Sequence, residues 1–243
     1  MDFLMLGLDP LVNYGAKARF KTGGQLTVPL VVKTTAGAKG QGVAHSQSIE
    51  AWLMSVPGLK VVAPSTPADA YGLMKTALAS DGPVVFVDHK RLFPTAGEVP
   101  VAQTAIPFGQ ALVRRSGQDV TLATHSYMTR VALQAAEDLA THGVSCEVID
   151  LRSLAPLDVA TVATSAARTG ALITLEEGQL SGGVGVELIH RVCEITGSLV
   201  TGRIGARPAP ISSNPVLEAA AIPDAASVVQ TVLERLSNRQ VRP

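Results

Sequence analysis

The sequence predicts an α/β protein built on parallel sheets, in two units of unequal size. Three observations carry that expectation. Short apolar runs alternate with longer amphipathic stretches from residue 28 to residue 195, the order that builds parallel sheets through crossover helices. The runs at 59–63, 84–88 and 171–176 are largely apolar rather than alternating, as strands covered on both faces are. The rhythm breaks at residues 93–108, where Pro94, Gly97, Pro100 and Pro107 fall without a sustained period, so that stretch reads as a linker.

In chain order, residues 11–20 read as a helix closed by Thr22-Gly23-Gly24, since Gly is a C-terminal helix signal. Residues 28–33 are β-branched and form a first strand. A helix over 46–56 stops at Pro57-Gly58 before a strand at 59–63. Pro67 opens a helix over 68–79, because proline suits a first helical position. Asp81-Gly82-Pro83 ends it ahead of the strand at 84–88. After the linker come strand 119–124, helix 127–141, strand 145–151, helix 158–168, strand 171–176 and helix 184–195. Met128, Val131, Ala132, Ala135 and Leu139 fall on one helical face. Asp158 fits an N-cap and Gly170 a C-terminal stop. Val228, Val229, Val232, Leu233 and Leu236 mark a last amphipathic helix before a polar tail, residues 237–243. The first unit, 1–92, shows only three strands, a thin sheet with an open edge. It is either incomplete or finished by a partner.

Composition narrows the function. The chain has 243 residues, 47% hydrophobic and 16% charged, with 20 basic and 20 acidic side chains. That supports a large core and excludes disorder. The charge balance speaks against nucleic-acid binding, and no basic run suggests a membrane surface. No apolar run approaches a membrane span. No Lys or Arg precedes Lys17, so the basic start of a secretory signal is lacking and a cytoplasmic location is expected. Cys146 and Cys193 are too few for a disulfide framework or a four-cysteine zinc site and read as core thiols.

Few motifs carry chemistry. Gly37-Ala38-Lys39-Gly40-Gln41-Gly42 has the look of a phosphate loop but lacks Gly-Lys-Ser/Thr, so a mobile turn is the plainer reading. Ser181-Gly182-Gly183-Val184-Gly185 sits between strand and helix with the wrong spacing for a dinucleotide turn. Close packing of helix on strand explains it as well. No Gly-x-Ser-x-Gly is present, and no His/Cys/Asp/Glu cluster has metal-ligand spacing. His45 stands out because it follows the Gly-rich loop and precedes a helix. There a neutral, tunable imidazole is expected, with a ring that only ties down its loop as the bland alternative. His89, His125, His142 and His190 lack such a setting and read as structural or exposed. Glu176-Glu177 and Asp150 end strands. They are acid–base candidates whose commoner role is capping or ion pairing.

Several runs together carry a resemblance. They are His45-Ser46-Gln47, then Pro57-Gly58-Leu59-Lys60-Val61-Val62-Ala63-Pro64-Ser65-Thr66-Pro67, then Pro83-Val84-Val85-Phe86-Val87-Asp88-His89-Lys90-Arg91-Leu92-Phe93. Val148-Ile149-Asp150-Leu151-Arg152-Ser153-Leu154-Ala155-Pro156-Leu157-Asp158 and Glu176-Glu177 before Gly182-Gly183 complete the set. In this combination the chain resembles the beta subunit of the thiamine-diphosphate-dependent component of 2-oxo acid dehydrogenases, of the pyruvate, branched-chain or acetoin type. The resemblance runs over essentially the whole chain. It implies the C-terminal part of a transketolase-like pyrimidine-binding domain at 1–92, a linker at 93–108 and a transketolase C-terminal-like domain at 109–243.

The resemblance implies function as well. The family forms α2β2 assemblies with thiamine diphosphate between alpha and beta subunits, the alpha subunit holding the diphosphate and Mg2+. It assigns His45 as the catalytic proton donor in acyl transfer to lipoamide, a role that suits a near-neutral acid. It implies a potassium site on main-chain carbonyls, matching Leu30, Ala77, Leu78, Ser80 and Gly82. Ser80 stands where relatives often carry Asp. The family's activating glutamate and its aminopyrimidine-contacting side chains lie in a stretch ahead of Met1, and no Glu precedes Glu50 here. The expected partners are therefore an alpha subunit, a separate N-terminal half of the beta subunit and a lipoyl-bearing acyltransferase. A misassigned start or a degenerate gene would explain the same difference. Two other readings stand beside this one: a non-catalytic assembly subunit, and a split transketolase or synthase of the same superfamily.

Overall fold

The computed structural model of the chain describes residues 1–100 and 104–239. Parts of the expected linker (101–103) and polar tail (240–243) lie outside the described residues. The entry differs from the single helix expected. A 3-10 turn, Leu4–Gly7, leads into a π-helical turn, Pro10–Gly15, and then α1, Ala18–Lys21. Pro10 and Gly15 are poor helix-interior residues and divide the stretch. The first unit then runs β1, Val31–Ala36; α2, Glu50–Met54; β2, Lys60–Val62; α3, Pro67–Leu78; and β3, Val84–His89. Pro67 stands in the first turn of α3, as expected, and Thr66 caps the helix by accepting from the Asp69 N–H.

The second unit runs β4, Leu112–Arg115; β5, Val120–Thr124; α4, Met128–Thr141; β6, Cys146–Asp150; and β7, Ser153–Ala155. It continues through α5, Val159–Thr169; β8, Ala171–Gln179; α6, Val184–Thr196; β9, Val200–Ala206; α7, Pro215–Ala221; and α8, Ala225–Arg239. Asp158 caps α5, and Gly170 ends it at φ 69°. The five strands lie in the order β4-β6-β5-β8-β9, parallel except for β4. Cys146 is a core thiol as expected, whereas Cys193 is only half-buried on α6.

Against the expectation that no apolar run approaches a membrane span, an 18-residue window within Pro215–Asn238 has a mean hydropathy of 1.4 and passes for one by length and composition. Extended backbone at Ile222 separates α7 from α8, and Val228 and Val232 of α8 are buried against the second sheet.

The expected three-stranded first sheet has four strands, in the order β1-β3-β2-β7. β1, β3 and β2 are parallel, with Val31 opposite Val84 and Val61 opposite Val85. The fourth strand comes from the second unit: β7 runs antiparallel to β2, with Val61 opposite Ala155 and Val62 opposite Ser153. The Ala63 N–H extends that ladder to the Arg152 carbonyl at 2.8 Å. Only β1 therefore keeps a free outer edge on the first unit's own side, and no strand covers it among the described residues. The Met1 ammonium sits on β1, bonded to Thr34 Oγ1 at 2.7 Å and to the Thr35 carbonyl.

The apolar core crosses the seam. One cluster joins Val61, Val85 and Val87 of the first unit to Ile149, Leu154 and Leu172 of the second. An ion cluster lies at the same seam. Arg114 reaches Asp150 Oδ2 through Nε at 3.1 Å and Nη2 at 2.8 Å, and also bonds Asp69. Arg152 pairs with Asp69 at 3.3 Å, and the Ser65 hydroxyl donates to Asp150. Burial pushes the Asp150 carboxyl up although Arg114 opposes it. Glu50, 5% exposed at the start of α2, is pushed up to about 7, first by burial and then by the charges of Glu177 and Glu176.

Two predictions follow from the seam. Arg114→Ala leaves Asp69 and Asp150 without their main counter-charge, and breaking such a buried pair costs about 3–5 kcal/mol. Urea unfolding should show that loss, and a change below about 1 kcal/mol would mean the seam rests on β7 and the apolar cluster alone. Glu50 titrates at 4.5 when free and at about 7 when folded. Below pH 4.5 its carboxyl is neutral in both states and costs nothing. As pH rises through about 7, stability should fall by up to roughly 3 kcal/mol. Subtracting the stability–pH curve of Glu50→Gln from that of the wild type should isolate this slope, and a flat difference would refute it.

Candidate functional site

The loop from β1 to α2 holds His45 and is built on glycine. Gly37, Gly40 and Gly42 have φ of 90°, 72° and 77°, a region only glycine enters freely. Gly37 also lies against the His89 ring: a Cβ there would be 1.9 Å from Nε2. His89, at the end of β3, is 3% exposed. Its Nδ1 accepts the Arg91 N–H at 3.1 Å. The proton therefore sits on Nε2 and is donated to Glu177 Oε2 at 2.8 Å. The His89 ring stacks on Tyr127, with centroids 4.9 Å apart.

Glu177 in turn accepts the Ala38 N–H at 2.6 Å. Burial resists its ionisation. Hydrogen bonds from His89 and Ala38 and the charge of Arg91 outweigh that and hold its carboxyl below the ordinary value. Arg91 donates through Nε to the Ala38 carbonyl at 2.8 Å and through Nη2 to Glu218 of α7 at 2.8 Å. Glu218 accepts the Gly40 N–H at 2.6 Å. The loop is thus held from both units.

His45 stands at the end of this loop with its side chain 47% exposed. Its N–H closes a turn onto the Gly42 carbonyl at 3.1 Å. Its own carbonyl accepts from Lys90, whose ammonium also meets Asp2 at 2.9 Å. The Phe3 ring packs edge-on at 5.3 Å, and Asp2 Oδ2 lies 3.9 Å from Nδ1, so Nε2 is the ring nitrogen turned away from that carboxylate. One expectation is corrected here. α2 begins at Glu50 and is one turn long, so His45 is not at a helix N-terminus and no helix dipole acts on it.

The other candidates have structural work. Glu176 accepts the Val184 and Gly185 N–H groups at 2.9 and 3.0 Å and caps α6. Burial raises its carboxyl against those bonds. A Cβ at Gly183 would lie 2.5 Å from Glu176 Oε1, and one at Gly185 2.2 Å from Thr174 Oγ1. The glycine run therefore serves close packing. Burial lowers His125 to about 4, which keeps it neutral. His190 lies on α6, 3.5 Å from Glu194.

The five positions matched to a potassium site gather where α3 ends and turns into β3. Leu30 and Ala77 carbonyls accept the Val84 and Ser80 N–H groups at 2.8 and 3.2 Å, and Ser80 Oγ donates to the Gly82 carbonyl at 3.0 Å. Each of these carbonyls already accepts a hydrogen bond of the fold, and a cation there would use the second lone pair. Lys60 Nζ reaches the same turn, 3.1 Å from Ser80 Oγ. Among the described residues no three His, Cys, Asp or Glu side chains gather as metal ligands.

Sequence reasoning singled out His45 but not the groups that hold its loop. His89, Arg91, Glu177 and Glu218 lie far apart in the chain, and only the short runs His89-Lys90-Arg91 and Glu176-Glu177 hinted that these positions mattered.

Comparison with known proteins supplies the family. The transketolase pyrimidine-binding domain matches residues 1–95, and the transketolase C-terminal domain matches residues 109–228. The chain is 40% identical over 237 residues to the pyruvate dehydrogenase E1 component subunit beta-1 of Arabidopsis thaliana, covering 94% of this chain and 65% of that protein. It is 38% identical over 232 residues to the acetoin:2,6-dichlorophenolindophenol oxidoreductase subunit beta of Cupriavidus necator, covering 94% and 69%. The chain thus spans about two thirds of the length of such relatives. A solved structure described as a split gene transketolase, inactive beta4 tetramer, shares the fold, with a TM-score of 0.82 and 24% identity over 97% of this chain and 74% of that one. On these matches, the chain belongs to the transketolase-like family of E1 beta subunits that includes those of pyruvate and acetoin dehydrogenases.

Proposed function

We propose that the chain is the C-terminal part of a beta-type subunit of a 2-oxo acid dehydrogenase. With partner chains it would serve oxidative decarboxylation and acyl transfer to lipoamide. The observation that carries this is His45: a half-exposed imidazole at the end of a loop gripped by both units, in a chain of this family. The partners the reading calls for are an alpha subunit, a separate N-terminal half of the beta subunit and a lipoyl-bearing acyltransferase. The open edge of β1 and the exposed Phe3, Leu6 and Phe20 support a chain that works in an assembly.

Thiamine diphosphate, when bound, supplies the electron sink for decarboxylation. The described residues fit one side of its site only. His45 and Phe3 present a polar edge beside an apolar ring, while no acidic cluster stands ready for Mg2+, so the diphosphate end falls to a partner. This chain's contribution is a proton at His45 Nε2. When the lipoyl S–S bond breaks, one sulfur takes the acyl carbon, and the other leaves as thiolate and takes that proton. Imidazole passes protons readily near neutral pH. Lys90, the Gly42 turn and Phe3 fix where the ring stands.

The test is His45→Asn in the reconstituted complex. Acyl transfer to a lipoyl domain should fall about 10²–10⁴-fold, decarboxylation with an artificial acceptor should fall less, and the melting temperature should hold. Neither rate changing would favour a non-catalytic assembly subunit. Loss of both with a collapsed melting temperature would make His45 structural. A monovalent cation on the carbonyls of Leu30, Ala77, Leu78, Ser80 and Gly82 should raise the melting temperature in KCl above that in choline chloride at equal ionic strength. Equal melting temperatures would show that the Lys60 ammonium and the turn's own hydrogen bonds suffice there.

A further inference from the structure

The Gly-rich loop offers backbone N–H groups in the way that anion-binding nests do, yet its anions are already present as side chains. Ala38 N–H and Gly40 N–H are each 2.6 Å from a carboxylate oxygen, of Glu177 and Glu218 respectively. Both carboxylates come from the second unit and are buried. His89 and Arg91, from the first unit, supply the opposing partners. The loop that resembled a phosphate cradle thus closes on the protein's own acids.

We propose that Glu177, seated by His89 and assisted by Glu218, is a positioning residue for His45. The inference rests on the catalytic reading of His45 given above. Three glycines at positive φ leave the loop little order of its own. Apart from Glu177 and Glu218, its backbone anchors are Gly37 N–H to the Gln47 carbonyl at 3.2 Å, Gln47 N–H to Asp2 at 3.3 Å, Arg91 on the Ala38 carbonyl, the Gly42–His45 turn and Lys90 on the His45 carbonyl. Glu177 is the point at which two donors, Ala38 N–H and His89 Nε2–H, converge on two oxygens of one carboxylate. An isosteric Gln has one oxygen for those two donors and turns an NH2 toward the other. One donor then loses its partner, and the loop's hold on the second unit weakens. The second unit thereby sets where the proton-donating ring stands, although among the described residues the ring's ion-pair and ring partners are Asp2 and Phe3 of the first unit.

The test uses the assembled complex and Glu177→Gln. Amide hydrogen exchange over residues 37–48 should rise about tenfold or more, the loss of a hydrogen bond to a charged group. Glu147→Gln is the control. Glu147 bonds Arg168 at 2.6 Å and the Gly117 N–H at 3.3 Å within the second unit, and its loss should leave the loop protected. In Glu177→Gln the kcat for acyl transfer should fall about tenfold with KM for the 2-oxo acid unchanged. Unchanged loop exchange, or an equal rise in the control, would overturn the proposal. So would a loosened loop with undiminished kcat in a complex that His45→Asn impairs. If His45→Asn itself has no effect, the catalytic reading fails, and with it the positioning role, whatever the exchange shows of the grip. Should Glu177→Gln fail to assemble, Glu218→Gln, which releases Gly40, is judged by the same measurements.

Discussion

Ser153–Ala155 leave the second unit to pair with β2, and the arrangement of the two units depends on that antiparallel contact. It closes one edge of the first sheet. It also brings Asp150 and Arg152, just ahead of the crossing strand, within reach of Arg114 and Asp69. The apolar cluster beneath it draws side chains from both units. Two domains that share a sheet, a core and an ion cluster are fixed in relation to each other more firmly than a linker could fix them. The loop with His45 relies on that, because it is gripped by residues of both.

Electrostatics at the seam follows one pattern. Buried carboxylates are matched locally: Asp150 by Arg114, Glu177 by His89, Glu218 by Arg91, Glu176 by the first turn of α6. Glu50 is the exception, repelled by Glu177 and Glu176. Its own backbone N–H and the N-terminal ammonium do not offset burial and that repulsion, so the group binds a proton more tightly.

Most of the fold was legible because hydrophobic period and caps are local signals. Pro67, Asp158 and Gly170 mark helix ends in the sequence and in space. Four elements left no clear signal. β4 is an edge strand with two exposed residues, and β7 has only three residues. β9 carries Gly202 and Gly205, which read as turn, and α7 is short behind an Asn-Pro start. The site was half legible. His45 sits beside recognisable neighbours, but its supports meet only through tertiary contact, Ala38 and Glu177 lying 139 positions apart. A one-dimensional pattern holds no record of such meetings.

The crossing strand also has a bearing on biosynthesis. β7 emerges from the ribosome about 90 residues after β2. At the usual rate of translation that is on the order of 5–20 s. During that interval β2 presents an unpaired edge on a half-made sheet, and pairing with the wrong chain competes with completion. The nascent first unit cannot settle into its final form while the second is still unsynthesised, so its sheet is completed only once residue 155 is made and not at the end of the first domain.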